Sequence, residues 1–390
     1  MPQLPSITDQ AFDEKVKPCE RLQVQGDAPG IAAIIEGLKA NHTLTEHQRA
    51  VCLDWLSCAN WLDQDYEGAL ELISKALTIA ESLKNRRLAA RLITHTGQIR
   101  SDAGDDGAAI AHFLDALDRF AELNDLEGKR RICDLLAKLY LRMEHVINAR
   151  MYLQDMLEID RKTGDRKAEA ATLSAIGATH ASLDENDEAI RYYEQAQAIS
   201  KELGDQYGVA RELHNIGNAH GAEGDTGRAE KAVRQALDIA RELNSDYGLS
   251  VCLLSLGRIE LHKRRLAEAI ELLEESVNIL QKMGFWEREA VAKAHLAMAR
   301  FEKGELLKCL QLADEVLQAC SALGKEHAFP VSMAYGVKAR CAHTAGRKED
   351  ATHFAQKAMD SMGERSRINL SDGNRHSKIL KDWLGEVLDA

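Results

Sequence analysis

Residues 205–244 read DQYGVARELHNIGNAHGAEGDTGRAEKAVRQALDIARELN, and their internal spacing decides the fold. Leu213, Ile216 and Gly217 mark one face of a first helix, and Ala229, Val233, Ala236 and Leu237 one face of a second. Steps of three and four give each helix a single apolar stripe that must be buried against another element. Gly224-Asp225 separates the two helices, and Gly204-Asp205 and Asn244-Ser245 bound the pair. Gly and Asn tolerate the left-handed backbone that ends a helix, and Asp or Ser next to them caps the helix that follows.

The same unit recurs on both sides with a period of 40. Ser57, Gly97, Ala137, Gly177, Gly217, Gly257 and Ala297 form a ladder of small residues, with Ala339 following after a step of 42. Twelve residues on stand Ala69, Ala109, Ala149, Ala189, Ala229, Ala269, Cys309 and Ala351, and nineteen on Ala76, Ala116, Met156, Ala196, Ala236, Ser276, Val316 and Ala358. Bulky residues recur between them at Ile73, Phe113, Leu153, Tyr193, Val233 and Leu273. Small residues let the paired backbones approach, and the large ones fill the spaces that remain. Helix ends fall at Asn124, Gly164, Gly204, Asn244, Gly284 and Gly324, with Asp125, Asp165, Asp205 and Ser245 as caps. Two departures stand out: Glu144 replaces the Gly turn, which suggests a looser pair there, and Pro330 lies within the 42-residue step.

Few Pro (5), 5% aromatic residues and abundant helix formers fit an all-α chain with no strands. One elongated array of helix pairs accounts for the length better than several globular domains. Lys and Arg number 50 against 62 Asp and Glu, so the net charge of −12 argues against nucleic acid and anionic lipid as partners. Neither an apolar core of signal-peptide length near the start nor a run of membrane-spanning length is present, so a cytoplasmic protein without a membrane partner is expected. The eight cysteines show no CxxC spacing and mostly replace Ala or Leu, as reduced buried thiols do. No HExxH, Walker, GxSxG or dinucleotide-binding pattern occurs, so neither catalysis nor a metal or other cofactor is expected.

Small residue, Ala at +12, Ala at +19 and a Gly-Asp turn together resemble the tetratricopeptide repeat. The unit is longer than the common form of about 34 residues. It is similar to the 40-residue variety of kinesin light chain, of peptide-binding polarity adaptors and of peptide-sensing regulators in bacteria. The resemblance implies a right-handed superhelical solenoid over residues 45–362, about eight helix pairs, with a degenerate repeat at 1–44. Cys19, Gly26-Asp27, Ile31 and Leu38 mark that first pair. A polar linker and an amphipathic helix, Asn374–Leu388, occupy 363–390. That helix suits a capping role or, alternatively, a partner-binding or dimerising one.

The resemblance also implies that first helices line the concave groove, with positions −6, −3, +1, +4 and +5 from the small residue facing it. The cations there are Arg91, Arg131, Lys138, Arg142, Arg211 and Arg258, against Asp54, Asp102, Asp134 and Glu302. This small positive excess suits a carboxylate-bearing segment, although the same cations are equally placed to pair with the acids. Asn215 and Asn218, beside His214, resemble groove asparagines that hold a peptide backbone, since an amide donates and accepts at once. Trp55, Trp61 and Leu62 at one end, and Leu261, Met298 and Phe301 at the other, offer apolar anchors unless terminal helices cover them. The expected function is a non-catalytic interaction scaffold or adaptor that binds a peptide or protein segment. The alternative is a ligand-responsive sensor of a signalling system whose output domain is elsewhere. An RNA-binding solenoid fits less well, because no regular pair of base-reading side chains recurs in the units.

Overall fold

The computed structural model describes residues 4–322, 324, 329–362, 384, 385 and 387. Among these the chain is all-α, built of antiparallel helix pairs without a sheet; one isolated bridge joins Ser6 and Thr43. It divides into two compact units, 1–159 and 160–390.

The first unit opens with α1 (Asp9–Val16), α2 (Pro18–Gln25) and α3 (Ala28–Asn41), followed by α4 (Glu46–Leu62), α5 (Tyr66–Ser82), α6 (Arg86–Asp102), α7 (Asp106–Glu122) and α8 (Leu126–Arg142). Helix α9 (Val146–Thr163) carries the boundary. The second unit contains α10 (Arg166–Ser182), α11 (Asn186–Glu202), α12 (Gln206–Ala222), α13 (Thr226–Glu242), α14 (Asp246–His262) and α15 (Leu266–Met283). It continues with α16 (Trp286–Glu302), α17 (Leu306–Ala322), α18 (Phe329–Thr344) and α19 (Lys348–Met362). Pro330 lies in the first turn of α18, where its missing N–H costs nothing.

Where glycine holds the ladder position, a bulky residue of the second helix presses on it. A Cβ added at Gly97 would stand 2.6 Å from the Phe113 ring, and one at Gly217 2.5 Å from Val233 Cγ2. Where the ladder has Ser57, its hydroxyl donates to the Ala69 carbonyl at 2.9 Å, so the +12 position receives a hydrogen bond instead of bare contact. The buried faces join successive helices into continuous clusters: Ile93, Phe113, Phe120 and Ile132 in the first unit, Val233, Leu237, Leu253 and Leu256 in the second.

The turns are more uniform than the residues that fill them. Positive φ recurs every 20 positions: Gln64 (63°), Lys84 (52°), Gly104 (83°), Asn124 (51°), Glu144 (64°), and on through Asp184, Arg264 and Gly304. Glu144 therefore keeps the left-handed turn although it is not a glycine. Backbone pairing holds it there: the amide of Glu144 donates to Leu141 and that of His145 to Tyr140. The predicted caps form, with the side chains of Asp125, Asp165, Asp205 and Ser245 accepting from the amides three residues on.

At the start, Cys19, Ile31 and Leu38 are buried, Gly26 is left-handed and Asp27 caps α3. Helices α1 to α3 pack on α4 around Phe12, Val16, Ile31 and Ile35, and Trp55 and Leu62 lie partly covered against that cluster. Of the amphipathic stretch Asn374–Leu388, only Leu384, Gly385 and Val387 are described; Leu384 and Val387 are buried with α16 to α19, and Trp383 lies outside the described residues. Met298 is buried in the same cluster, and Leu261 and Phe301 are partly covered against it.

Candidate functional site

Arg91, Arg131, Lys138 and Arg142 belong to the first unit; Arg211, His214, Asn215, Asn218 and Arg258 belong to the second. Each set is described within its own unit.

In the first unit, α4, α6 and α8 line a cavity of about 1200 Å³, closed on one side by α1 and α2. Its apolar floor is lined by Val51 and Trp55 of α4, Leu88 of α6 and Phe120 of α7. The polar centre is Asp54, only 3% exposed. Its carboxylate accepts from Arg91 Nη2 at 3.2 Å and lies 2.7 Å from His95 Nδ1, so a carboxylate on α4 ties down two side chains of α6. Burial raises a carboxyl's pKa, but the adjoining His95 and then Arg91 outweigh it and hold Asp54 below the usual carboxylate range. At the rim, Arg87 donates through Nε and Nη2 to Asp125, the residue that also caps α8.

Cys58 follows Asp54 by one helical turn, and Asp54, Cys58 and His95 offer ligand atoms within 4.8 Å of one another. Sequence spacing did not reveal this trio, because His95 comes from the next repeat. Its chemistry favours an internal hydrogen-bond network over a metal site. Asp54 is already paired with a guanidinium that a cation would have to displace, and burial with the neighbouring carboxylate pushes the Cys58 thiol up to about 12.

Pairing also separates the predicted cations. Arg91 pairs with Asp54, Lys138 with Asp134 one turn before it (2.6 Å), and Arg142 with Asp106 and Ser101. Arg211 Nε donates to Glu212 at 2.7 Å. Arg131, exposed on α8, and Arg258, half-buried on α14, have no ion-pair partner among the described residues.

In the second unit a polar chain links three neighbouring first helices. Glu212 is fully buried on α12 and accepts from Ser174 of α10 (2.9 Å), from Arg211 and from Asn215 Nδ2 (3.1 Å). His214 Nε2 lies 2.9 Å from Ser255 Oγ of α14, and that hydroxyl donates to Asn218 Oδ1 at 3.3 Å. His214 and Asn218 thus brace helix against helix. Asn215 keeps Oδ1 as an acceptor without a hydrogen-bond donor among the described residues.

No described helix is long and apolar enough to cross a membrane. No functionally curated protein matches the chain in sequence. The family model of the tetratricopeptide repeat matches residues 133–202 and 208–282. Among solved structures, the apo form of RapI superposes with a TM-score of 0.68 at 16% identity, covering 90% of this chain and 97% of that one. The apo form of the quorum sensor NprR from B. thuringiensis gives 0.63 at 14%, covering 91% and 99%. A Rap protein complexed with competence and sporulation factor gives 0.54 at 14%, covering 96% and 100%. At these identities the likeness is one of fold. Residues 133–202 and 208–282 are thus tetratricopeptide repeats, and helix pairs before and after them continue the same register.

Proposed function

We propose that the protein is a ligand-responsive, non-catalytic binding module, a cytoplasmic sensor that takes a polypeptide segment against its first helices. The observation that carries this reading is the first-unit cavity. At about 1200 Å³ it exceeds the range of about 300–1,000 Å³ usual for small-molecule pockets, and its lining includes a cation, Arg131, with no ion-pair partner among the described residues. A guanidinium in that position suits a carboxylate of the bound segment, by two parallel hydrogen bonds. Two proteins that share the fold support the sensor reading over a passive scaffold: NprR is named a quorum sensor, and a Rap protein is complexed with competence and sporulation factor. The ties between neighbouring first helices, Asp54 to Arg91 and Glu212 to Ser174, supply a means of response, since a ligand that shifts one helix shifts the next.

Photo-crosslinking tests the reading. A photoreactive residue in place of Val51, inside the cavity, should capture a polypeptide from cell extract, and the adduct should disappear when Arg131→Glu is added. The same probe in place of Lys75 on α5 is the control. Equal capture at both positions, or capture indifferent to Arg131, would overturn the assignment.

A further inference from the structure

The cations of the groove suit a carboxylate-bearing or otherwise acidic segment; the pairing inside the first-unit cavity adds a second requirement. Six carboxylates line it, Asp13, Glu14, Glu20, Asp54, Asp125 and Glu127, against Lys17, Arg87, Arg91 and Arg131. Two of these cations are already engaged, Arg91 by Asp54 and Arg87 by Asp125. Asp13, Glu14, Glu20 and Glu127 are exposed and have no ion-pair partner among the described residues, leaving four carboxylates to face Lys17 and Arg131.

Their placement is not random. Asp13, Glu14 and Glu20, with Lys17 between them, form one wall of net negative charge on α1 and α2, while Phe12, Val16 and Cys19 of the same helices are buried and hold that wall in place. Arg131 stands on α8, and the apolar floor of Val51, Trp55 and Leu88 lies on α4 and α6, between α2 and α8 in chain order. Low-dielectric walls focus the field of an uncompensated charge cluster, so a cationic group gains most at the α1–α2 side and an anionic one at Arg131.

We infer that this cavity selects a polypeptide segment of mixed charge. One or more Lys or Arg side chains lie against Asp13, Glu14 and Glu20, apolar residues cover Val51 and Trp55, and a single carboxylate sits on Arg131. A purely acidic segment meets the α1–α2 wall with like charge and is rejected there. The inference rests on the reading that the cavity takes a polypeptide segment, and it specifies the chemistry of that segment.

The probe is a random dodecapeptide display library selected on the full-length chain at low ionic strength. Enriched peptides should combine Lys or Arg with at least one Asp or Glu and apolar residues. A synthetic peptide from that pool should lose about tenfold in affinity against Asp13→Asn/Glu14→Gln/Glu20→Gln, and about threefold to tenfold against Arg131→Gln. Glu127→Gln, a single change on α8, gives an independent reading if the triple variant unfolds α1. Thermal melts of each variant report folding. Enrichment of acidic or uncharged peptides that still depend on Val51 and Trp55 would refute the mixed-charge inference and leave the segment-binding reading standing. No enrichment, or binding indifferent to Val51→Asp and to every charge variant, would refute both.

Discussion

Replacing Asp54 by Ala tests whether the centre of the first-unit cavity is built as described. The change removes the acceptor of Arg91 and the neighbour of His95, which lies 2.7 Å away. Arg91 is 44% exposed in its side chain, so water replaces the carboxylate and the loss there is at most about 1 kcal/mol. The His95 side chain is 14% exposed, and a ring nitrogen left without a partner costs about 1–3 kcal/mol. Relief from holding a carboxylate in a buried position offsets part of this sum. The expected net loss is about 2 kcal/mol at neutral pH. Urea unfolding followed by the fluorescence of Trp55 and Trp61, with Trp286 and Trp383 replaced by Phe, isolates the first unit. Acid supplies a second test. Asp54 titrates below its unfolded value of about 3.9, so its stabilisation is present above that pH and is lost as the pH falls through the folded pKa. The gap between wild type and Asp54→Asn should therefore close on acidification below about pH 4. A loss under about 0.5 kcal/mol at neutral pH, or a gap that does not narrow in acid, would show that Asp54 is not the tie between α4 and α6.

Other consequences follow from single contacts. Gly217→Ala gains about 1 kcal/mol of helix propensity but forces a methyl to within 2.5 Å of Val233 Cγ2 and 3.1 Å of the Ala229 carbonyl, so overpacking of about 1–3 kcal/mol should leave it neutral to destabilised in thermal melts. Gly107→Ala, whose new Cβ meets nothing within 4 Å, should be more stable than wild type, and equal behaviour of the two would contradict the packing account. Asp125→Ala removes the cap of α8 and the partner of Arg87 together, with an expected cost of about 1–2 kcal/mol by urea titration. The buried Cys58 thiol, pushed to about 12, should react with iodoacetamide at neutral pH far more slowly than in urea; peptide mass spectrometry showing equal rates would contradict its burial.

The period of 40 determined the helix pairs, their caps and their core, because each is set by contacts within a repeat or to the next one. Phe113 meets Gly97 and Asp125 meets Gly128 at separations the ladder itself displays. Even so, the left-handed turns at Gln64, Glu144 and Arg264 were invisible, since their conformation is imposed by the helices on either side and not by the residue. The site was legible only as positions. Arg91, Arg131, Lys138, Arg142, Arg211 and Arg258 were all visible, but which of them remain uncompensated depends on whether a carboxylate of a neighbouring helix lies within about 4 Å, and residue types do not report that distance. The wall of Asp13, Glu14 and Glu20 was missed for the same reason. It belongs to the irregular start of the chain, outside the repeat register, and only tertiary packing places it in the cavity lined by Arg131, more than a hundred residues on.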